Sequence, residues 1–197
     1  MTSREFRTSR MVLRQHPAEE AVAELADKNS WPLVEELGSA SESRREVVWQ
    51  AWVGTTVHYV EDQPSSSSYI YAKGDQPNLT TSTGGTLEEE LKPWRLLDLW
   101  RRVDVAKDPV RLGLALLKLG VGAPYTYEEG TFERIQRGLT HQDERTRDMS
   151  LWATTYSPWP EYRPTLEDIA AYDPVPTLRE RASLTLEAYD AAGVDGS

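Results

Sequence analysis

Apolar positions recur at helical spacing along most of the chain. Ala18, Ala21, Val22 and Leu25 fall on one stripe behind Pro17, which suits the first turn of a helix because it has no N–H to lose. Leu33, Val34 and Leu37 predict a second, short helix that Gly38 ends. Ser43 and Glu46 are spaced as a capping box, in which hydroxyl and carboxylate satisfy reciprocal backbone donors. They predict a third helix carrying Val48, Trp49, Trp52 and Val53.

Residues 54–86 break the pattern. Thr55–Val60 and Tyr69–Ala72 are rich in β-branched and aromatic residues, as strands are, and Pro64 with Ser65–Ser68 separates them. A polar stretch with Gly74, Pro77, Gly84 and Gly85 follows. The expectation is a hairpin and a flexible loop inserted into a helical protein, with helix resuming at a capping box of Thr86 and Glu89.

Beyond Pro93 the helical stripes are regular. Leu96, Leu99, Trp100 and Val103 form one, and Asp108-Pro109 opens a helix with Leu112, Leu114, Leu116, Leu117 and Leu119. Apolar residues lie on most of its faces, which predicts a central position. Thr131 is the expected cap of a helix with Phe132, Ile135 and Leu139, and Met149, Trp152, Ala153 and Tyr156 make the next stripe. After Pro158, Pro160 and Pro164, Thr165 with Asp168 and Thr177 with Glu180 are spaced to cap two more.

Three turns between these helices are alike. Asp173-Pro174-Val175-Pro176-Thr177-Leu178-Arg179 is the clearest, Val105–Arg111 is a second version with Asp108-Pro109 placed later, and His141–Arg147 is a third. The turn resembles that of HEAT-like and armadillo-like helical repeats, in which Asp-Pro is followed by an aliphatic residue and Arg. Arg111, Arg147 and Arg179 recur roughly every 32–36 residues, shorter than typical HEAT spacing. The resemblance is best over residues 94–190. It implies an all-α solenoid of stacked antiparallel helix pairs, with the hairpin and loop of residues 55–86 as an insert. On that reading residues 1–16 are a basic arm, residues 17–190 a single helical-repeat domain and residues 191–197 a tail. Asp108, Arg111, Arg147, Asp173 and Arg179 are then structural, because such Asp and Arg side chains bridge neighbouring repeats.

Composition narrows the function classes. The chain has 197 residues and a formal net charge of -10, which suits a basic protein partner and opposes binding to nucleic acid phosphates. The exception is the N-terminal arm, with Arg4, Arg7, Arg10 and Arg14 against Glu5. There is no cysteine, so thiolate catalysis and cysteine-built metal sites are excluded. No apolar run is long enough for a membrane span and no signal peptide opens the sequence, so a cytoplasmic protein is expected.

Candidate chemistry is sparse. Phosphate-loop, dinucleotide-loop and nucleophile-elbow motifs are missing, and neither a cofactor nor a metal is implied. His58 is read as an ordinary strand histidine that a carboxylate could pair with, and His141 as a turn residue. The reading is therefore non-enzymatic. The resemblance implies a scaffold, adaptor or inhibitor that binds another protein. The alternatives are a HEAT-like protein acting on nucleic acid, which the acidic charge opposes, and a structural subunit of an oligomer. Tyr59, Tyr69 and Tyr71 of the hairpin, with Trp159 and Tyr162 of the proline-flanked loop, are the expected partner contacts, since such rings give large contact area with few rotatable bonds.

Overall fold

The structure is a computed structural model that describes residues 5–39 and 41–194. It is 54% helical and 18% strand, and its first half is built on a six-stranded antiparallel sheet. That overturns the expected all-α solenoid. The chain divides into two compact units, Met1–Arg95 and Leu96–Ser197.

In the first unit, β1 (Phe6–Arg7), β2 (Met11–Val12), β3 (Leu33–Leu37), β4 (Arg44–Trp52), β5 (Thr55–Asp62) and β6 (Ser67–Gly74) form one sheet. Its order is β1-β6-β5-β4-β3, with β2 also paired to β6. Within the segment expected to be a basic arm, Phe6–Arg7 and Met11–Val12 are short edge strands, and Arg7 lies over the Tyr71 ring, 3.5 Å from its centroid. Arg4 falls outside the described residues, as do residues 195–197 of the expected tail.

Two expected helices are strands. Leu33–Leu37 is β3 and the Ser43/Glu46 segment opens β4. The deciding signal is alternation: Val47, Trp49 and Ala51 point into the core beside Val57, Tyr59, Ile70 and Ala72, while Glu46, Val48 and Gln50 take the other face. The hairpin of β5 and β6 holds as expected. A tight turn joins β4 to β5, where Gly54 takes a φ of 77° that a side chain would strain.

Helices α1 (Glu19–Lys28) and α2 (Pro77–Leu91) complete this unit. Val22, Leu25, Ala26 and Leu87 join the inner residues of the sheet in one apolar cluster. The expected flexible loop is thus the helix α2. Its buried Thr80 and Thr83 return their hydroxyls to the carbonyls of Gln76 and Leu79, so polar side chains are buried with their hydrogen bonds made.

The second unit is helical throughout its described residues: α3 (Leu96–Val105), α4 (Pro109–Gly122), α5 (Glu129–Leu139), α6 (Glu144–Tyr156), α7 (Arg163–Tyr172) and α8 (Pro176–Ala191), with a 3₁₀ turn at Pro160–Tyr162. Helix α4 packs along α6, and α3, α5 and α8 flank this pair. Close approach is possible because Gly120 lies against the backbone of Ala153, and Gly138 against Ser150 and Leu116. Asp108 and Asp143 cap α4 and α6. The cap of α5 is Glu128, not Thr131, which is buried and accepts a hydrogen bond from Trp100 Nε1 at 2.9 Å. No capping side chain opens α7 or α8, and proline fills the first turn of each.

Candidate functional site

Where β4 and β5 pass the start of α1, charged side chains collect. Arg45 and Glu61 face each other across the two strands, and Ser68 follows on β6. The Arg45 guanidinium reaches Glu19 through two nitrogens at 2.5 and 2.9 Å, Glu36 at 3.1 Å and Glu61 at 3.3 Å. Hydrogen bonding from Arg45 holds the Glu19 carboxyl below the usual range. The same contacts raise the guanidinium further above its ordinary value.

Glu61 also ends a buried chain of hydrogen bonds. Tyr59 Oη donates to Glu61 at 3.1 Å, Ser68 Oγ lies 3.0 Å from Tyr59 Oη, and His16 Nδ1 lies 2.9 Å from Ser68 Oγ. The backbone N–H of Ala18 donates to the same phenol at 2.8 Å. Burial pushes the Tyr59 hydroxyl up to about 12, so it stays a neutral donor. This polar chain fixes the entrance of α1 against the sheet.

Above it opens a cleft of about 640 Å³, lined by Pro17, Glu19, Glu20, Glu24, Arg45 and Glu61 among others. Arg45 is the lone cation of that lining and three carboxylates already share it. Glu20 and Glu24 are exposed and have no ion-pair partner among the described residues. The cleft is therefore anionic, and its chemistry suits a cationic side chain from another molecule.

The opposite face of the sheet carries a second cluster. Glu46 accepts from His58 Nδ1 at 2.7 Å, Tyr71 Oη at 2.9 Å and Arg44 Nη2 at 2.8 Å. His58 stacks on Tyr71, 4.7 Å between ring centroids, and its Nε2 lies 2.8 Å from the Thr56 hydroxyl. The His58 hydrogen bond, with help from Tyr71 and Arg44, holds the Glu46 carboxyl down to about 2. The carboxylate orients the imidazole and the imidazole orients the hydroxyl, which also reaches the carbonyl of Lys73 at 3.3 Å. The arrangement clamps three strands together.

The five expected contact residues are elsewhere than expected. Tyr59 is sealed in the first core, and Tyr69 and Tyr71 are buried on the opposite face of the sheet. Trp159 and Tyr162 are buried and stacked on each other, with Trp159 Nε1 donating to the carbonyl of Tyr125. None of the five offers a ring to a partner, because their area is already used in packing. The residues read as structural behave differently from one another. Arg147 and Asp173 form a buried pair, and Arg179 donates to the backbone carbonyl of Asp173 at 2.7 Å. Asp108 and Arg111 make an exposed contact within one helix start. His141 accepts the Asp143 N–H at 3.0 Å, a turn role as expected. His58 does pair with a carboxylate.

Glu19, Glu20, Glu24, Arg45 and Glu61, which build the cleft, were not singled out by sequence reasoning. Their signal is the run of carboxylates from Glu19 to Glu42 broken by Lys28 alone, which becomes meaningful only once β4 delivers Arg45 beneath it. Among the described residues no group of His, Asp or Glu is placed to hold a metal ion, and no helix is long and apolar enough to cross a membrane. No family model matches the chain, no curated protein matches it, and no solved structure matches its fold.

Proposed function

We propose that this protein is a non-catalytic binding module, an adaptor or inhibitor, that holds a basic protein partner at the acidic cleft of its first unit. The imbalance of charge at that cleft carries the reading: one guanidinium is shared by three carboxylates, and Glu20 and Glu24 stand exposed beside it. Opposed potentials steer a basic partner to such a face and disfavour neutral or acidic competitors. A cysteine-free chain needs no oxidising compartment, and the reading sets it in the cytoplasm.

The test is affinity capture from the protein's own cells with the wild-type chain and with Glu20→Lys combined with Glu24→Lys. Both positions are exposed, so the fold should be unchanged by circular dichroism. The wild-type chain should retain proteins of high isoelectric point that raised salt releases, and the charge-reversed chain should lose them. Equal recovery by both chains would overturn the reading.

A further inference from the structure

Strand β3 is the end of the sheet, paired on one side with β4 and on the other with nothing among the described residues. All five of its residues are exposed, with Leu33 at 54%, Val34 at 55% and Leu37 at 46%. An exposed edge of this kind presents backbone N–H and C=O groups in register for a further strand. Sheets usually guard such edges, and two guards stand here: a register irregularity between Leu33 and Glu35, and the adjacent carboxylates Glu35 and Glu36.

Those carboxylates choose the occupant. Glu35 lies opposite Val48 and Glu36 opposite Val47, so the two side chains leave the strand on opposite faces. Glu36 is already shared with Arg45 at 3.1 Å, whereas Glu35 has no ion-pair partner among the described residues. A second copy of this chain aligned antiparallel would set carboxylates near carboxylates and be repelled. A strand with Lys or Arg opposite Glu35 and apolar or β-branched residues opposite Val34 and Leu37 would meet attraction at the charge and cover the apolar side chains. We propose that the free edge of β3 is a docking site for an extended, basic segment of another protein, which adds to the sheet as an antiparallel strand. This rests on the reading of the protein as a binder of a basic partner and gives the mode of its attachment.

The experiment uses the full chain, labelled with ¹⁵N, and two peptides, acetyl-TVTRKVTV-amide and its acidic counterpart acetyl-TVTEEVTV-amide. The basic peptide should shift the amide signals of residues 33–37 and slow their hydrogen exchange, and the acidic one should leave them unchanged. Glu35→Lys, at an exposed position without an ion pair, should weaken the basic peptide by about tenfold and admit the acidic one. Binding of both peptides alike, binding indifferent to Glu35→Lys, or shifts that avoid residues 33–37 would each overturn the proposal. The two readings fail separately. If the edge ignores the peptides while the Glu20/Glu24 variant still loses basic proteins, the docking mode is wrong and the module reading stands. If the edge takes the basic peptide while that variant recovers the same proteins as wild type, the cleft is not where the partner is held and the docking mode stands.

Discussion

Arg147 on α6 closes on Asp173, the first residue of the turn between α7 and α8, through Nε at 2.7 Å and Nη2 at 3.0 Å. Both are buried, at 8% and 7% exposure. The remaining donor, Nη1, reaches the carbonyls of His141 and Gln142, while Asp173 also accepts the N–H of Val175. Burial alone would raise the Asp173 carboxyl, yet the hydrogen bonds from Arg147 and Val175 hold it below its ordinary value. A single ion pair thus ties together three separate backbone segments.

Removing one partner leaves the other charged and buried. Arg147→Ala should cost about 3–5 kcal/mol of unfolding free energy by denaturant titration, and Asp173→Ala a similar amount. The double variant should cost less than the two singles added together, because neither charge is then left alone. Arg111→Ala, whose side chain is largely exposed, should change stability by about 0.5 kcal/mol or less.

The Glu46 cluster predicts an acid limb. The folded carboxyl is held at about 2, below its ordinary value of 4.5, so its stabilisation is complete above that ordinary value and is lost as pH falls towards 2. It should amount to about 2 kcal/mol, less than the full shift would give because the site is partly open to solvent. Glu46→Gln should be less stable at neutral pH and show a flatter decline between pH 5 and 2 in thermal melts followed by circular dichroism.

Tyr59→Phe removes the hydroxyl that Ala18, Glu61 and Ser68 share and strands buried polar groups. It should cost about 1–3 kcal/mol. Because the folded phenol titrates at about 12 against an ordinary 10, its stabilisation is present below pH 10 and lost as pH rises towards 12. The variant should lack this component of the alkaline decline when unfolding is measured across that range.

Two glycines should respond oppositely to alanine. A Cβ at Gly120 would meet the Ala153 backbone at 2.6 and 2.9 Å, which forces α4 and α6 apart. Gly120→Ala should cost about 1–3 kcal/mol. At Gly85, within α2, a Cβ would meet nothing within 4 Å. Gly85→Ala should therefore raise stability by about 0.5–1 kcal/mol, read as a higher urea midpoint.

The helices after Trp94 were legible because their stripes, prolines and N-terminal aspartates agree. Asp108-Pro109 marks a helix start by local chemistry, and burial of Leu116 and Leu119 then uses the stripe as written. In β4 local and long-range signals conflict. Ser43 and Glu46 are spaced as a cap, and Val48, Trp49 and Trp52 suit a helical stripe. The period-two signal of Val47, Trp49 and Ala51 is blurred because Val48, on the other face, is buried as well. Helix α2 fails in the opposite sense: Thr80, Thr83 and Gly84 read as loop, and become helix because the sheet and the N-terminal strands supply a surface for small residues to lie against. The cleft was hidden for a related reason, since strand register sets Arg45 opposite Glu61 and the packing of α1 brings Glu19 to them.

The division at Arg95 and Leu96 gives each half an oily interior of its own. Such a chain resembles two cassettes on one tape. The pleated cassette buries its oily side chains between a sheet and two helices, and the helical one buries its own among helices alone.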